Sequence, residues 1–166
     1  PLTFFNQVDA QDQFFIEWMC RALHLKNAHT LKQADLCLFI NLDPSKYNNA
    51  AQAMDQIDLM LEKMAPMSLT TNNIVIEIIE TKPVSDSVLH AMIEHFHALG
   101  IKIAIDDFGT LHSDTKRVEA MNPDYVKICG EWFTANCHRP NFLIQLSEIH
   151  SYFEAKGIQL IYEGIE

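Results

Sequence analysis

The sequence has no apolar run long enough to cross a bilayer. Its longest runs are about half a dozen residues, against the roughly 20 that a spanning helix needs. No signal-peptide pattern stands at its start. It has no low-complexity stretch, no charge run and no long linker rich in proline, glycine or serine, so no internal domain boundary is marked. It has no C-x-x-C pair: Cys20, Cys37, Cys129 and Cys137 are scattered without zinc-ligand spacing and read as reduced thiols in a cytoplasm. It is also short of basic residues, with 12 lysines and arginines against 22 acids and a formal net charge of -10. That field repels nucleic-acid polymers and anionic membrane. It leaves open a small anionic ligand held through metal ions.

What is present is a chain of 166 residues, 48% hydrophobic, enough for one domain with a core. It starts at Pro1 and stops at Glu166, directly after an expected strand, which reads as a stretch of something longer. Apolar, β-branched runs at Leu36 to Asn41, Ile74 to Ile79, Ile101 to Asp106, Tyr125 to Cys129 and Ile158 to Glu163 predict five buried strands. Amphipathic stretches lie between them. One face carries Phe14, Phe15, Trp18, Met19, Ala22 and Leu23. A second carries Ala53, Ile57, Met60, Leu61 and Met64. A third carries Val88, Leu89, Met92, Ile93, Phe96 and Leu99, closed by Gly100. A fourth carries Phe142, Leu146, Ile149 and Phe153, closed by Gly157. A shorter helix is expected within Ser113 to Met121, with Ser113 as its N-cap.

Strand-helix repeats of this length imply parallel pairing with right-handed crossovers. An open doubly wound sheet and a (β/α)8 barrel compete. In an open sheet the functional groups gather at one switch point. Here every strand ends in a polar or ionisable residue: Asn41, Glu77 with Glu80, Asp106 with Asp107, Lys127, and Glu163. Convergence of all strand ends on one mouth is the barrel arrangement. The expected class is therefore α/β, a TIM-type (β/α)8 barrel that is incomplete in this window.

Each strand-end residue has an ordinary alternative. Asp106 and Asp107 form an acidic pair suited to Mg2+ or Mn2+, with one acid bridging two cations, or else a capped helix start with an acidic first turn. Glu77 sits inside Ile74-Val75-Ile76-Glu77-Ile78-Ile79, where a carboxylate is costly to bury without a partner. It is a metal ligand there, or a solvent-facing residue on an edge strand. Asn41 is a ligand through its amide oxygen, or the start of the turn into Asp43-Pro44. Lys127 faces carboxylates in the interior and orients water or phosphate, or it guards a sheet edge. Glu163 is a ligand or a surface acid. His95 and His97, two apart on a helix, point to different faces and make poor co-ligands. Met60, Met64 and Met67 read as core filler, and Phe4, Phe5, Phe14 and Phe15 as packing.

The segment Ile103-Ala104-Ile105-Asp106-Asp107-Phe108-Gly109-Thr110 resembles the D-D-F-G-T segment of EAL-domain phosphodiesterases. Phe39-Ile40-Asn41-Leu42, Glu77-Ile78-Ile79-Glu80, Tyr125-Val126-Lys127-Ile128 and Tyr162-Glu163-Gly164-Ile165-Glu166 resemble four further strand-end motifs of that family, in its order. The likeness runs from near Phe4 to Glu166, so residues 1–166 read as one partial domain. It implies metal coordination by Asn41, Glu77, Asp106, Asp107 and Glu163. It implies that Lys127 contacts the attacking water, that Glu80 braces the loop after Asp107, and that Glu166 lies at the substrate-binding rim. Lys127, Glu163 and Glu80 are then the catalytic set, on two ions of Mg2+ or Mn2+.

The implied reaction is hydrolysis of cyclic di-GMP to linear pGpG in bacterial second-messenger signalling. The implied partner is that dinucleotide rather than a nucleic-acid polymer. The resemblance leaves room for a homodimer, and for an attached sensor or GGDEF domain outside this window. The expected location is the cytoplasm, either free or as the cytoplasmic part of a membrane-anchored protein. The Glu-Ala-Leu motif itself is absent, so the window alone is expected to be inactive. Leu111 and His112 replace a glycine and an aromatic of the family's loop, and Cys129 stands where the family has an aspartate. Every recognisable ligand position in the window is filled, which favours hydrolysis, whereas Leu111 and Cys129 favour the alternative: a degenerate domain that senses the dinucleotide or contacts a protein without hydrolysis.

Overall fold

The computed structural model describes residues 7–32, 36–47, 49–67, 69–79, 85–109 and 115–164. Five strands form one parallel sheet in the order β1-β2-β3-β4-β5. They are β1 (Leu38–Leu42), β2 (Ile74–Ile78), β3 (Lys102–Phe108), β4 (Tyr125–Ile128) and β5 (Gln159–Tyr162). The helices are α1 (Ala10–Leu31), α2 (Ala50–Met64), α3 (Asp86–Ala98), α4 (Thr115–Met121), α5 (Gly130–Asn136) and α6 (Phe142–Glu154). Spatial order equals chain order, so there is no switch point. Right-handed crossovers between sequential neighbours place every connecting helix on the same side of the sheet. This is a singly wound, incomplete (β/α)8 barrel. No described helix is long and apolar enough to cross a membrane.

The two faces of the sheet have different chemistry because alternate residues point to opposite sides. The outer face carries Ile40, Leu42, Ile76, Ile78, Ile103, Ile105, Val126 and Ile128, all buried against the helices. Ala53, Ile57, Met60 and Met64 of α2, Met92, Ile93 and Phe96 of α3, and Phe153 of α6 complete that core. These are the expected faces of three helices, and Met60 and Met64 are core filler as the pattern implied. The inner face carries Phe39, Asn41, Val75, Glu77, Ala104, Asp106, Tyr125 and Lys127. In a flat sheet β1 and β4 would stand about 14 Å apart. Yet the rings of Phe39 and Tyr125 meet edge to face at 5.5 Å. They close over Val75 and Ala104, both fully buried. The inner face is therefore concave.

Local signals set the helix ends. Ser85 caps α3 by accepting from the Val88 N–H at 3.3 Å. Gly100, at φ 75, ends it in a left-handed turn. There the Ile101 N–H donates to Phe96 O and the Gly100 N–H to His97 O, both at 3.0 Å. This double closure is the one a glycine in that position permits. The expected N-cap Ser113 lies outside the described residues.

Three expectations need correction. The apolar face of α1 is displaced: Leu25 and Ala28 are buried, whereas Phe15, Met19 and Leu23 are 61%, 39% and 52% exposed. Apolar residues lie on more than one side of α1, so periodicity could not single out the packed side. Phe15 is not core packing. Second, β3 runs on through Asp107 and Phe108, with a register irregularity between Ile105 and Phe108. Third, α5 was not anticipated.

Phe96→Ala, which empties a fully buried site, will cost about 3–5 kcal/mol of stability. Phe15→Ala will change stability by less than about 0.5 kcal/mol. Urea titrations of the two variants against the parent test the contrast.

Candidate metal centre

The inner face ends in ionisable groups. Glu77 is near the end of β2, which lies between β1 and β3. It is not on an edge, and its side chain is only 7% exposed. Lys127 is on β4, between β3 and β5, so the edge-guard alternative falls too. Curvature of the sheet brings strands two apart into contact through these side chains. The Lys127 ammonium lies 2.5 Å from Glu77 Oε1, 3.0 Å from Asp106 Oδ1 and 2.7 Å from Glu163 Oε1. One cation thus joins β2, β3 and the residue that follows β5.

Asp107 is reached differently. It sits at φ 54 in the left-handed region, where an aspartate is tolerated better than most side chains. Consecutive strand residues normally face opposite sides. The register irregularity at this point turns Asp107 back toward its neighbour. Carboxylate oxygens of Asp106, Asp107 and Glu163 all lie within 4.8 Å of one another. Asn41 pairs in register with Glu77, so their side chains share the inner face. Asn41 is exposed, and its carbonyl accepts from an Arg21 nitrogen at 3.1 Å. Glu80, Glu166, Leu111 and His112 lie outside the described residues.

Electrostatics follow from this packing. Burial, with the nearby Asp106 carboxylate, pushes the Glu77 carboxyl up to about 7, against the opposing pull of Lys127. Burial also raises Asp107, Asp106 adds repulsion, and a hydrogen bond from the Cys129 thiol lowers it in part. Burial alone would lower the Lys127 ammonium. The carboxylates of Glu163, Glu77 and Asp106 outweigh it and raise it well above its ordinary value. Lys127 is therefore a permanent cation near neutral pH. Four carboxylates against one ammonium leave an excess of negative charge at the mouth. An all-oxygen donor set with that excess suits hard divalent cations.

A cleft of about 800 Å3 opens beside this group, lined by Asp107, Cys129, Gly130, Glu131, Thr134 and Glu163 among others. It is made possible by a close approach: a Cβ on Gly130 would stand 3.1 Å from Glu163 O and from Gly164 Cα. His95 and His97 take no part. They lie 3.0 Å and 3.8 Å from Asp58 and Asp124 respectively. Sequence reading missed α5 and the Arg21 contact. The only cue to α5 was Trp132-Phe133 after a glycine, too short for periodicity to register.

The sequence profile described as "EAL domain" matches residues 4–166. The chain is 27% identical over 128 residues to "Cyclic di-GMP phosphodiesterase PdeA" of Borreliella burgdorferi, which covers 76% of this chain and 18% of that protein. It is 32% identical over 116 residues to "Probable cyclic di-GMP phosphodiesterase PdeI" of Escherichia coli, covering 66% of this chain and 13% of that protein. The chain thus spans less than a fifth of the length of these curated relatives. Among solved structures, Klebsiella pneumoniae BlrP1 in a calcium and cyclic di-GMP complex superposes with a TM-score of 0.85 at 23% identity, over 100% of this chain and 42% of that one. That likeness establishes the barrel-type fold.

Because the Glu77 carboxyl lies near 7 in the fold rather than 4.5, the folded chain holds more protons than the unfolded one between those values. Its contribution is full below 4.5 and lost as pH rises to about 7. Glu77→Gln will remove that slope from the metal-free protein. Urea midpoints of parent and variant will therefore diverge across this window and run parallel above it. A divergence outside the window would refute the assignment.

Proposed function

The chain belongs to the EAL domain family, and from that premise we propose that it carries most of a metal-dependent site that hydrolyses cyclic di-GMP to linear pGpG. The observation that carries this reading is the Lys127-centred group of Glu77, Asp106 and Glu163, with Asp107 alongside. The names of the two relatives and the cyclic di-GMP and calcium in the BlrP1 complex support the substrate and a divalent cation. A second BlrP1 complex contains manganese.

In this reading Asn41, Glu77, Asp106, Asp107 and Glu163 would hold two ions of Mg2+ or Mn2+, with Asp106 shared between them. Bound cations supply a water of lowered pKa and neutralise charge on the phosphodiester. Lys127 stays protonated, so it orients that water and stabilises phosphate charge rather than accepting a proton. The half-buried setting keeps bulk water from screening these charges. Glu163 belongs to both the metal and the catalytic set. Glu80 braces the loop after Asp107, and Glu166 meets substrate at the rim.

We read residues 1–166 as part of one domain acting in the cytoplasm. A homodimer and a sensor or GGDEF domain elsewhere in the protein are compatible with this. One observation favours a second reading, binding without hydrolysis. Cys129 takes the place of the family's aspartate, and its thiol, not a carboxylate, meets Asp107.

The test is incubation of the full-length protein with cyclic di-GMP and Mn2+ or Mg2+, followed by chromatography of the products. Linear pGpG is expected. Tight binding without product would replace hydrolysis by sensing, and no binding would sink both readings. Asp106→Asn is expected to cut turnover by at least about a hundredfold, and unchanged turnover would refute the bridging role.

A further inference from the structure

We propose that Trp132 is a positioning residue for Asp107, holding the turn that ends β3 so that the Asp107 carboxylate stays beside Asp106 and Glu163. The inference rests on the reading that these three acids ligate a cation. It starts from a backbone problem. Within three residues of the strand end, Asp107 is at φ 54 and Gly109 at φ 102. Gly109 takes its conformation freely, but Asp107, a non-glycine in the left-handed region, persists there because the surroundings hold it.

The surroundings come from α5. A Cβ on Gly109 would lie 2.9 Å from Trp132 Cγ, 3.0 Å from Cδ1 and 3.3 Å from Cδ2. The indole therefore rests directly on the Gly109 backbone, and nothing larger than a hydrogen fits between. One turn earlier, the Cys129 N–H donates to Phe108 O at 3.2 Å, and the Cys129 thiol donates to Asp107. Three contacts, two from the N-cap residue Cys129 and one from Trp132 within α5, thus bracket the residues from Asp107 to Gly109. The indole has a backing of its own. Its centroid is 6.1 Å from that of Phe142, which is 4% exposed at the start of α6 and also meets Phe133 edge to face at 5.1 Å. The ring is held against the turn rather than free to swing away.

Asp106 does not depend on this clamp, because Lys127 anchors it from β4. The two acids of the pair are thus held by different means. Loss of Trp132 will loosen Asp107 while Glu77 and Asp106 stay in place. The effect is therefore unequal between the two ions.

Mn2+ titration of the full chain, with free Mn2+ read by electron paramagnetic resonance, tests this. The parent is expected to show two ions, with Asp107→Asn weakening one of them. Trp132→Ala will weaken that same ion by about tenfold or more, leave the other within about threefold, and be rescued to within about threefold by Trp132→Phe. If Trp132→Ala fails to fold by circular dichroism, Trp132→Leu carries the test, since it keeps an apolar side chain but lacks the flat ring that rests on Gly109. Loss of the Asp107-dependent ion in that variant supports the clamp. Two unchanged ions in the variant, or equal weakening of both, would overturn the clamp and leave the metal reading standing. A parent indifferent to Asp107→Asn would overturn both.

Discussion

The cluster of Glu77, Asp106 and Glu163 at the mouth of this barrel depends on one ammonium. Lys127 lies within hydrogen-bonding distance of carboxylates from two other strands and from the residue after a third. Burying Glu77 alone among isoleucines would carry a desolvation cost of several kcal/mol. Bringing Asp106 and Glu163 to the same place would add repulsion. A single well-placed cation offsets much of both. It also stays charged, because three acids hold its proton more strongly than burial removes it.

The remaining charge is what makes the group chemically useful. The offset is incomplete, since Asp107 adds a fourth carboxylate near Asp106 and Glu163. Burial raises Glu77 and Asp107 first, and the neighbouring carboxylates add to it. A divalent cation bound there would relieve the excess charge, and would then compete with protons for the same carboxylates. Curvature is the geometric condition for all of this. The contact of Phe39 with Tyr125 over two small residues bends the sheet enough for side chains from separated strands to converge.

Asp107 shows a different kind of control. Asp106 follows the ordinary alternation of its strand and is held by charge. Asp107 breaks the alternation and is held by shape, through a left-handed backbone and the helix packed on the next turn. The Gly130 and Gly164 backbones approach equally closely on the other side of the cleft. Small residues therefore set how near α5 comes to the site, and the cleft beside it follows from that spacing.

Much of this was legible in the residues themselves. Short apolar runs mark the five strands, and β2, buried at every position, is the plainest of them. Glu77 inside such a run, and Lys127 inside another, betray an inner face that tolerates charge. The order of polar strand ends pointed to a barrel mouth. What the residues could not show was direction and pairing. Periodicity misplaced the packed face of α1, because apolar residues lie on more than one side of that helix and only packing selects Leu25 and Ala28 over Phe15 and Leu23. It passed over α5, whose seven residues are too few for a repeat. It placed Asp106 and Asp107 in one motif but could not say that one is held by Lys127 and the other by a helix. Local composition determines which segments become strands and which positions carry charge. Only the curl of the sheet decides which of them meet, because those contacts join strands that lie far apart in the chain.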